Sequence, residues 1–414
     1  MQDTTLFPMR ELPMLWRGHQ LYDYQNEVVT KVMDCSRGMI KVATGGGKSN
    51  IIAKVVSEYN VKTMIYVVSL DLLSQMKETL EASLGIEVGT IGGGHCEIKD
   101  ITVCSVWTAG LACDQKDILL HSDEDVEIDK WSPSELQREE IKEAVRRATL
   151  VILDEAQFAA ANSIRMILKN SHSAVYRYGF TATPWRSSGD DILLEAAFGQ
   201  KICDISASQL IEMGYLVPPK IAFRDILPHE KKLPKKWAAV KSSYIVKNDA
   251  RNDLLIRNTI KLLEMNRKPL LLFREINHGK TLLSMIPDDV RVRLVTGRVS
   301  QLERDEIRDD FKAGKIDLIL ASTVYDQGID LKELDALVLC GGGKSTAKAL
   351  QRIGRVIRSN KSGGKTDAMI VETFDQAHYV REHSMARYEI YKTESKFFIK
   401  TGDAMAGALK RKGR

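Results

Sequence analysis

The chain has no Cys-x-x-Cys pair, no low-complexity tract and no apolar run near the ~18 residues that a membrane span needs. Each absence excludes something. Its six cysteines, Cys35, Cys96, Cys104, Cys113, Cys203 and Cys340, are scattered, which argues against a zinc ribbon or a disulfide frame and fits reduced thiols in a cytoplasmic protein. The start, Met1-Gln2-Asp3-Thr4, lacks the basic residues and apolar stretch of a secretion signal. Neither sign of charge dominates: the net charge is +5, which permits a polyanionic partner without demanding one. At 414 residues the chain exceeds one ordinary domain, so two domains with extensions are expected.

Short β-rich apolar runs alternate with helical patterns along most of the length. In the first half they are Met39–Val42, Met64–Val68, Ile101–Cys104, Leu150–Leu153 and Val175–Tyr178. In the second they are Leu270–Phe273, Val292–Val295, Ile316–Leu320, Ala336–Cys340 and Ala368–Val371. Such alternation predicts βα units and parallel sheets, an α/β architecture. Pro218-Pro219 lies between the two sets, and the changeover is placed near residues 205–220, with the Lys- and Pro-rich stretch Pro228–Lys236 as a surface insertion in the second domain. Ser122–Asp129 is acidic and precedes a helix over Ser134–Arg147, opened by Ser134 after Pro133; it reads as a solvated excursion from the first sheet. From about Gln376 the chain looks helical and ends in Lys410-Arg411-Lys412-Gly413-Arg414. For that basic tail, contact with a nucleic-acid backbone and simple solubility both stay open.

Met39–Ser57 reads as strand, glycine loop and helix, with Ile51, Ile52, Val55, Val56 and Tyr59 at helical spacing. In Ala43-Thr44-Gly45-Gly46-Gly47-Lys48-Ser49 the glycines let the backbone wrap a triphosphate, whose charge meets successive N–H groups and the helix N-terminus. Lys48 then reaches the outer phosphates and the Ser49 hydroxyl sits on Mg²⁺. The strict pattern wants Gly where this chain has Val42, and similar strings recur at Gly341–Ser345 and Gly363–Thr366. Val151-Ile152-Leu153-Asp154-Glu155-Ala156-Gln157 decides between them, because its apolar residues bring Asp154 and Glu155 to a strand's C-terminal end, on what is expected to be a neighbouring strand. Asp154 is expected to hold Mg²⁺ through its water shell and Glu155 to polarise the attacking water. Neither later string is followed by paired carboxylates; they read as a turn and a surface hairpin.

At this point the motifs resemble, in order across about residues 20–360, those of superfamily 2 helicases of the DEAQ variant. Leu21-Tyr22-Asp23-Tyr24-Gln25 looks like the adenine-reading segment, which implies that Gln25 recognises the base; many relatives have Arg at the place of Tyr22. Val68–Gln75 and Val103–Thr108 are similar to loops that touch the strand backbone, Asp154–Gln157 is the DEAQ string, and Thr181-Ala182-Thr183-Pro184 matches the motif that links hydrolysis to strand movement. Leu271–Arg274, Ala321-Ser322-Thr323 with Gln327-Gly328-Ile329-Asp330, and Gln351–Arg358 resemble the motifs of the second lobe.

The resemblance implies two RecA-like domains in tandem with ATP in the interdomain cleft. Residues 1–20 are then an N-terminal extension, 21–205 the first domain with an insertion at about 112–147, 206–375 the second, and 376–414 a helical, basic extension. It adds Gln157 to the catalytic set, Gly328 and Asp330 to the ATP contacts, and Ser69, Ser105, Trp107, Thr181, Thr183, Arg274 and Thr323 to the nucleic-acid contacts; for Trp107 and Trp185, stacking on bases and a place in the core both stay open. Arg355 and Arg358 are expected on one face of a helix, with Ile353, Val356 and Ile357 on its buried side. Their guanidinium groups suit a transferring phosphate and complete the site when the lobes close.

Within the superfamily, Gly179–Arg186 and Arg387–Lys392 are similar to the UvsW-like phage recombination and branch-migration helicases. The resemblance implies a monomeric enzyme acting on single-stranded, forked or branched DNA. Two alternatives stay open, an RNA helicase or ribonucleoprotein remodeller, and an ATP-driven double-strand translocase or clamp that does not separate strands.

Overall fold

Each half of the chain builds its own parallel sheet, and the two compact units divide between Ser206 and Ala207. The computed structural model describes residues 16–113, 129, 131–158, 162–182, 191–227, 234, 236–296, 299, 301–322, 331–341, 346–360 and 363–412.

In the first unit the strands are β1 (Arg37–Val42), β2 (Thr63–Val67), β3 (Gly89–Gly92), β4 (His95–Glu97), β5 (Ile101–Ser105), β6 (Leu150–Asp154), β7 (Tyr176–Thr181) and β8 (Lys201–Ile205). They form an eight-stranded sheet in the order β4-β3-β5-β2-β6-β7-β1-β8. Pairing is parallel except between β3 and β4. The helices are α1 (Asp23–Met33), α2 (Lys48–Tyr59), α3 (Leu70–Leu84), α4 (Val106–Ala112), α5 (Glu135–Arg147), α6 (Asn162–Asn170) and α7 (Asp191–Phe198). Every residue of β2, β5 and β6 is buried, as expected for central strands of a parallel sheet covered on both faces. That explains why their sequences read as unbroken apolar runs. α5 starts where the sequence places it, for Ser134 Oγ accepts from Gln137 N while the Gln137 side chain returns to Ser134 N.

The second unit holds β9 (Pro219–Asp225), β10 (Pro269–Phe273), β11 (Val292–Val295), β12 (Leu318–Ser322), β13 (Ala336–Leu339), β14 (Ala368–Phe374) and β15 (Phe398–Lys400), in the order β11-β12-β10-β13-β14-β9-β15. All these pairings are parallel. Its helices are α8 (Ala207–Glu212), α9 (Trp237–Val240), α10 (Asp249–Glu264), α11 (Ile276–Leu283), α12 (Gln301–Lys312), α13 (Thr346–Val356), α14 (His378–Lys392) and α15 (Asp403–Lys412). A π-helical turn, Lys241–Val246, continues α9.

All ten predicted runs are strands here, with ends shifted by at most three residues. Five strands escape the sequence reading: β3 and β4 are short, β3 begins and ends in glycine, β8 alternates with exposed polar residues, β9 opens on Pro219, and β15 has three residues. Proline is tolerated at a strand's first position, so the Pro pair that looks like a linker starts a strand. The C-terminal stretch, expected to be helical, contributes β15 to the sheet beside α14 and α15.

The string Arg387–Lys392 has a structural use. Glu372 on β14 is fully buried, and Arg387 grips both its carboxylate oxygens at 2.9 and 3.0 Å while the Tyr391 hydroxyl donates at 2.7 Å. Burial without those donors would be prohibitive for a carboxylate. Nearby, buried Arg251 donates to Cys340 O at 2.6 Å and Thr373 Oγ1 at 2.7 Å, beside Asp375. Among the described residues no helix is long and apolar enough to cross a membrane.

Candidate nucleotide site

The loop after β1 carries glycine where only glycine fits. Gly45 and Gly47 have φ of 87° and 72°, a region that L side chains avoid. Gly47 is also the N-cap of α2, and a Cβ there would lie 2.5 Å from Gln25 Nε2. Val42, the departure from the strict pattern, is the fully buried last residue of β1. Its side chain fills the core, and the turn begins one residue later, where Gly46 N donates to Ala43 O at 3.0 Å.

Two side chains of α1 hold the loop from below. Gln25 Nε2 and the Tyr24 hydroxyl donate to Gly46 O at 3.0 and 2.7 Å, and Gln25 Oε1 accepts from Tyr22 N at 3.0 Å. Tyr24 is a residue the sequence reading missed; an aromatic next to a functional Gln gives no periodic signal.

Lys48 opens α2, and its Nζ lies 3.6 Å from Glu155 Oε1. The carboxylates are not on the adjacent strand as expected, because β7 lies between β1 and β6. The gap is bridged by the long Lys48 and Glu155 side chains meeting at the sheet's C-terminal edge. Glu155 sits at φ 58°, a costly conformation for a non-glycine residue that tends to mark functional positions. Its amide donates to Asp154 Oδ1 at 3.0 Å. Burial, reinforced by the Glu155 charge and opposed by Lys48, pushes the Asp154 carboxyl up to about 6. A carboxylate so short of positive charge suits a cation. Asp154 and the Ser49 hydroxyl would hold Mg²⁺, leaving its other positions to water and phosphate oxygens. Among the described residues no group of three or more His, Cys, Asp or Glu is arranged to hold a metal ion.

From Glu155 a hydrogen-bonded row runs across the sheet edge. Gln157 Nε2 donates to Glu155 Oε2 at 2.6 Å, and the hydroxyl of Thr181, last residue of β7, donates to Gln157 Oε1 at 2.8 Å. Thr181, expected to contact nucleic acid, is 3% exposed and takes part in this row. Lys48, Glu155, Gln157 and Thr181 therefore form one connected set, in which the Gln157 side-chain amide is engaged at both its nitrogen and its oxygen, which fixes its orientation.

Other expected contacts are placed as follows. Ser69 N-caps α3, with Leu72 N donating to its Oγ, and Ser105 N-caps α4, both buried. The half-buried Trp107 donates its indole N–H to Val68 O at 2.9 Å, a bond that ties α4 to the end of β2. Buried Asp129 joins this edge by accepting from Gly93 N at 3.0 Å and Thr108 Oγ1 at 2.8 Å; its place in an acidic run hides it from sequence reading. Thr44 and Arg274 are partly buried, with Arg274 directly after β10. Thr183, Trp185, Thr323, Gly328 and Asp330 lie outside the described residues.

Arg355 is in the last turn of α13, and Ile353, Val356 and Ile357 are buried as predicted. Arg358, expected on the same helical face, has left the helix. Val217 N donates to Ile357 O at 2.8 Å and Leu216 bridges Arg358 antiparallel, which draws the chain out of α13. The later glycine strings differ from the first. Residues 342–345 are outside the described set, while Gly363 and Gly364 form a turn from which Lys365 donates to Leu334 O at 2.5 Å and Lys332 O at 3.3 Å. Burial pushes the Lys365 ammonium down to about 8.

Known proteins agree with this arrangement. The family model described as "Type III restriction enzyme, res subunit" matches residues 18–186, and that described as "Helicase conserved C-terminal domain" matches 250–360. The chain is 26% identical over 396 residues to a protein named DNA 3'-5' translocase XPB2 from Sulfurisphaera tokodaii, covering 87% of this chain and 82% of that one. It is 26% identical over 363 residues to the ATP-dependent DNA helicase uvsW of Enterobacteria phage T4, covering 86% and 68%. Its fold is shared with the Type ISP restriction-modification enzyme LlaBIII, with a TM-score of 0.64 at 15% identity over 91% of this chain and 30% of that one. The chain belongs to the superfamily 2 helicases and is an ATP-hydrolysing enzyme of that family.

Proposed function

We propose that this enzyme is a DNA translocase and helicase that moves 3′–5′ and unwinds or branch-migrates forked and junction DNA. The DNA substrate and polarity follow the XPB2 relative, and the branched substrate follows the resemblance to recombination helicases. The observation that carries the reading is the row Lys48–Glu155–Gln157–Thr181, which connects the phosphate loop to the strand end that leads into Thr183.

In this reading the loop amides and Lys48 hold the triphosphate, Glu155 takes a proton from the attacking water, and Gln157 keeps Glu155 oriented. Asp154 and Ser49 would hold Mg²⁺, which would supply charge neutralisation at the phosphates. Arg355 and Arg358 of the second unit stabilise charge on the transferring phosphoryl group. Gln157 and Thr181 report the state of the γ-phosphate to the loop beyond β7, so that strand grip changes with hydrolysis. Contact with the strand runs chiefly through phosphates, so binding weakens steeply with salt.

The test is ATP turnover against single-stranded, forked and four-way DNA and against RNA. Stimulation by DNA with separation of forked or four-way strands is expected. Stimulation by RNA alone contradicts the DNA assignment, and robust turnover without strand separation leaves a translocase that does not unwind.

A further inference from the structure

Between the unit boundary and β9 a short segment is bonded at both ends to parts of the second unit far away in sequence. It begins at Ala207, the first residue of that unit and of α8. Glu394, two residues past the end of α14, holds its start. One carboxylate oxygen accepts from Ser208 N at 2.8 Å and Ser208 Oγ at 2.7 Å, and the other accepts from Ala207 N at 3.4 Å. All three residues are buried, so the charge is met by donors where water does not reach it. The Ser208 hydroxyl in turn accepts from Lys396 N at 3.2 Å. Glu394 is itself fixed by α14, for its N–H donates to Tyr391 O at 3.2 Å and Tyr391 and Arg387 anchor that helix on Glu372. At its far end the segment turns and folds back on α8, Tyr215 N and Leu216 N both donating to Leu210 O at 2.9 and 3.2 Å. Leu210 and Leu216 are buried, so the turn cannot swing independently of the helix. From there Leu216 bridges Arg358, and Val217 N donates to Ile357 O at 2.8 Å. The exit of α14 is thereby tied to the exit of α13, where Arg358 has left its own helix.

We propose that Glu394 is a positioning residue for ATP hydrolysis: through Ser208 and α8 it fixes the Leu216–Val217 turn that places Arg358. The proposal rests on the reading of Arg358 as a contact to the transferring phosphoryl group. A displacement of about 1 Å in a group of that kind can cost on the order of a hundredfold in rate. Loss of the anchor therefore reaches the chemistry without any contact between Glu394 and ATP.

Steady-state ATP hydrolysis by the full chain, with and without forked DNA, tests it in Glu394→Ala, Glu394→Gln, Arg358→Ala and the Glu394→Ala/Arg358→Ala double variant, with thermal unfolding recorded for each. Glu394→Ala should lower kcat roughly ten- to a hundredfold, with KM for ATP changed less than about threefold. Glu394→Gln keeps an acceptor for Ser208 and should stay within about threefold of wild type. The double variant should turn over about as fast as Arg358→Ala alone, because residues that act through one contact are not additive. Where Glu394→Ala does not fold, Ser208→Ala, which removes the hydroxyl bond alone, carries the same test with a smaller loss. An unchanged kcat overturns the proposal, as does a loss borne by KM, a double variant whose losses simply add, or failure of Glu394→Gln at unchanged unfolding temperature. Arg358→Ala separates the two claims: full turnover there refutes the phosphate contact itself, whereas its loss beside an absent or additive effect of Glu394→Ala refutes only the anchor.

Discussion

Glu155 shows at the level of one residue how position sets role. Its positive φ turns the side chain between Lys48 and Gln157, the place from which the proposed general base would act. Glu155→Gln keeps the shape and removes the base, and should lower kcat at least a hundredfold, the usual scale for a general base, with KM for ATP little changed. A kcat within a few-fold of wild type in single-turnover measurement contradicts that role. A second residue carries a pH signature. His278 is buried against Asn252 at 2.9 Å, and burial with the nearby Arg251 charge pushes it down to about 4. Above its ordinary value of 6.5 both folded and unfolded chains hold it neutral. Between that value and about 4 only the unfolded chain takes up the proton, so stability falls with acid, by at most about 3 kcal/mol. Urea midpoints measured from pH 7.5 to 4.5 should fall less in His278→Gln than in wild type; parallel curves would show that another group governs the acid limb.

At the level of elements, α13 and α14 divide the labour of the second unit. Arg355→Ala should lose far more turnover than ATP affinity, because a phosphate-contacting arginine acts mainly in the transition state; a loss confined to affinity argues for a ground-state contact. α14 is held by the Glu372, Arg387 and Tyr391 staple. Arg387→Met strands a buried carboxylate and should destabilise the unit by about 3–5 kcal/mol, whereas Arg387→Met with Glu372→Leu should recover much of the loss. Equal urea midpoints for the single and double variants would contradict this account of the staple. These elements also mark what could be read in advance. Central strands were legible because full burial demands continuous apolar runs, as in β6 and β10. The phosphate loop and the Asp154–Gln157 string were legible because triphosphate chemistry restricts residue type and spacing. What escaped depends on tertiary pairing: the edge strands β8 and β15, the position of β7 between β1 and β6, and the exit of Arg358 from α13 through a bridge to Leu216. Thr181 was assigned by motif, but its hydroxyl partner, Gln157, emerges only when β6 and β7 lie side by side.

On the scale of the whole molecule, each unit has its own sheet and core, and each carries residues of the proposed motor. Lys48 and Glu155 belong to the first unit and Arg355 and Arg358 to the second. The central proposal is that ATP hydrolysis drives movement along DNA. The most direct measurement is DNA-dependent ATP turnover together with strand separation on forked and four-way DNA, for wild type, Lys48→Ala and Arg355→Ala. Turnover stimulated by DNA, strand separation only with ATP, and loss of both together in each variant are the expected results. Strand separation that persists in Arg355→Ala after its turnover is lost, or turnover stimulated by RNA and not by DNA, would contradict it.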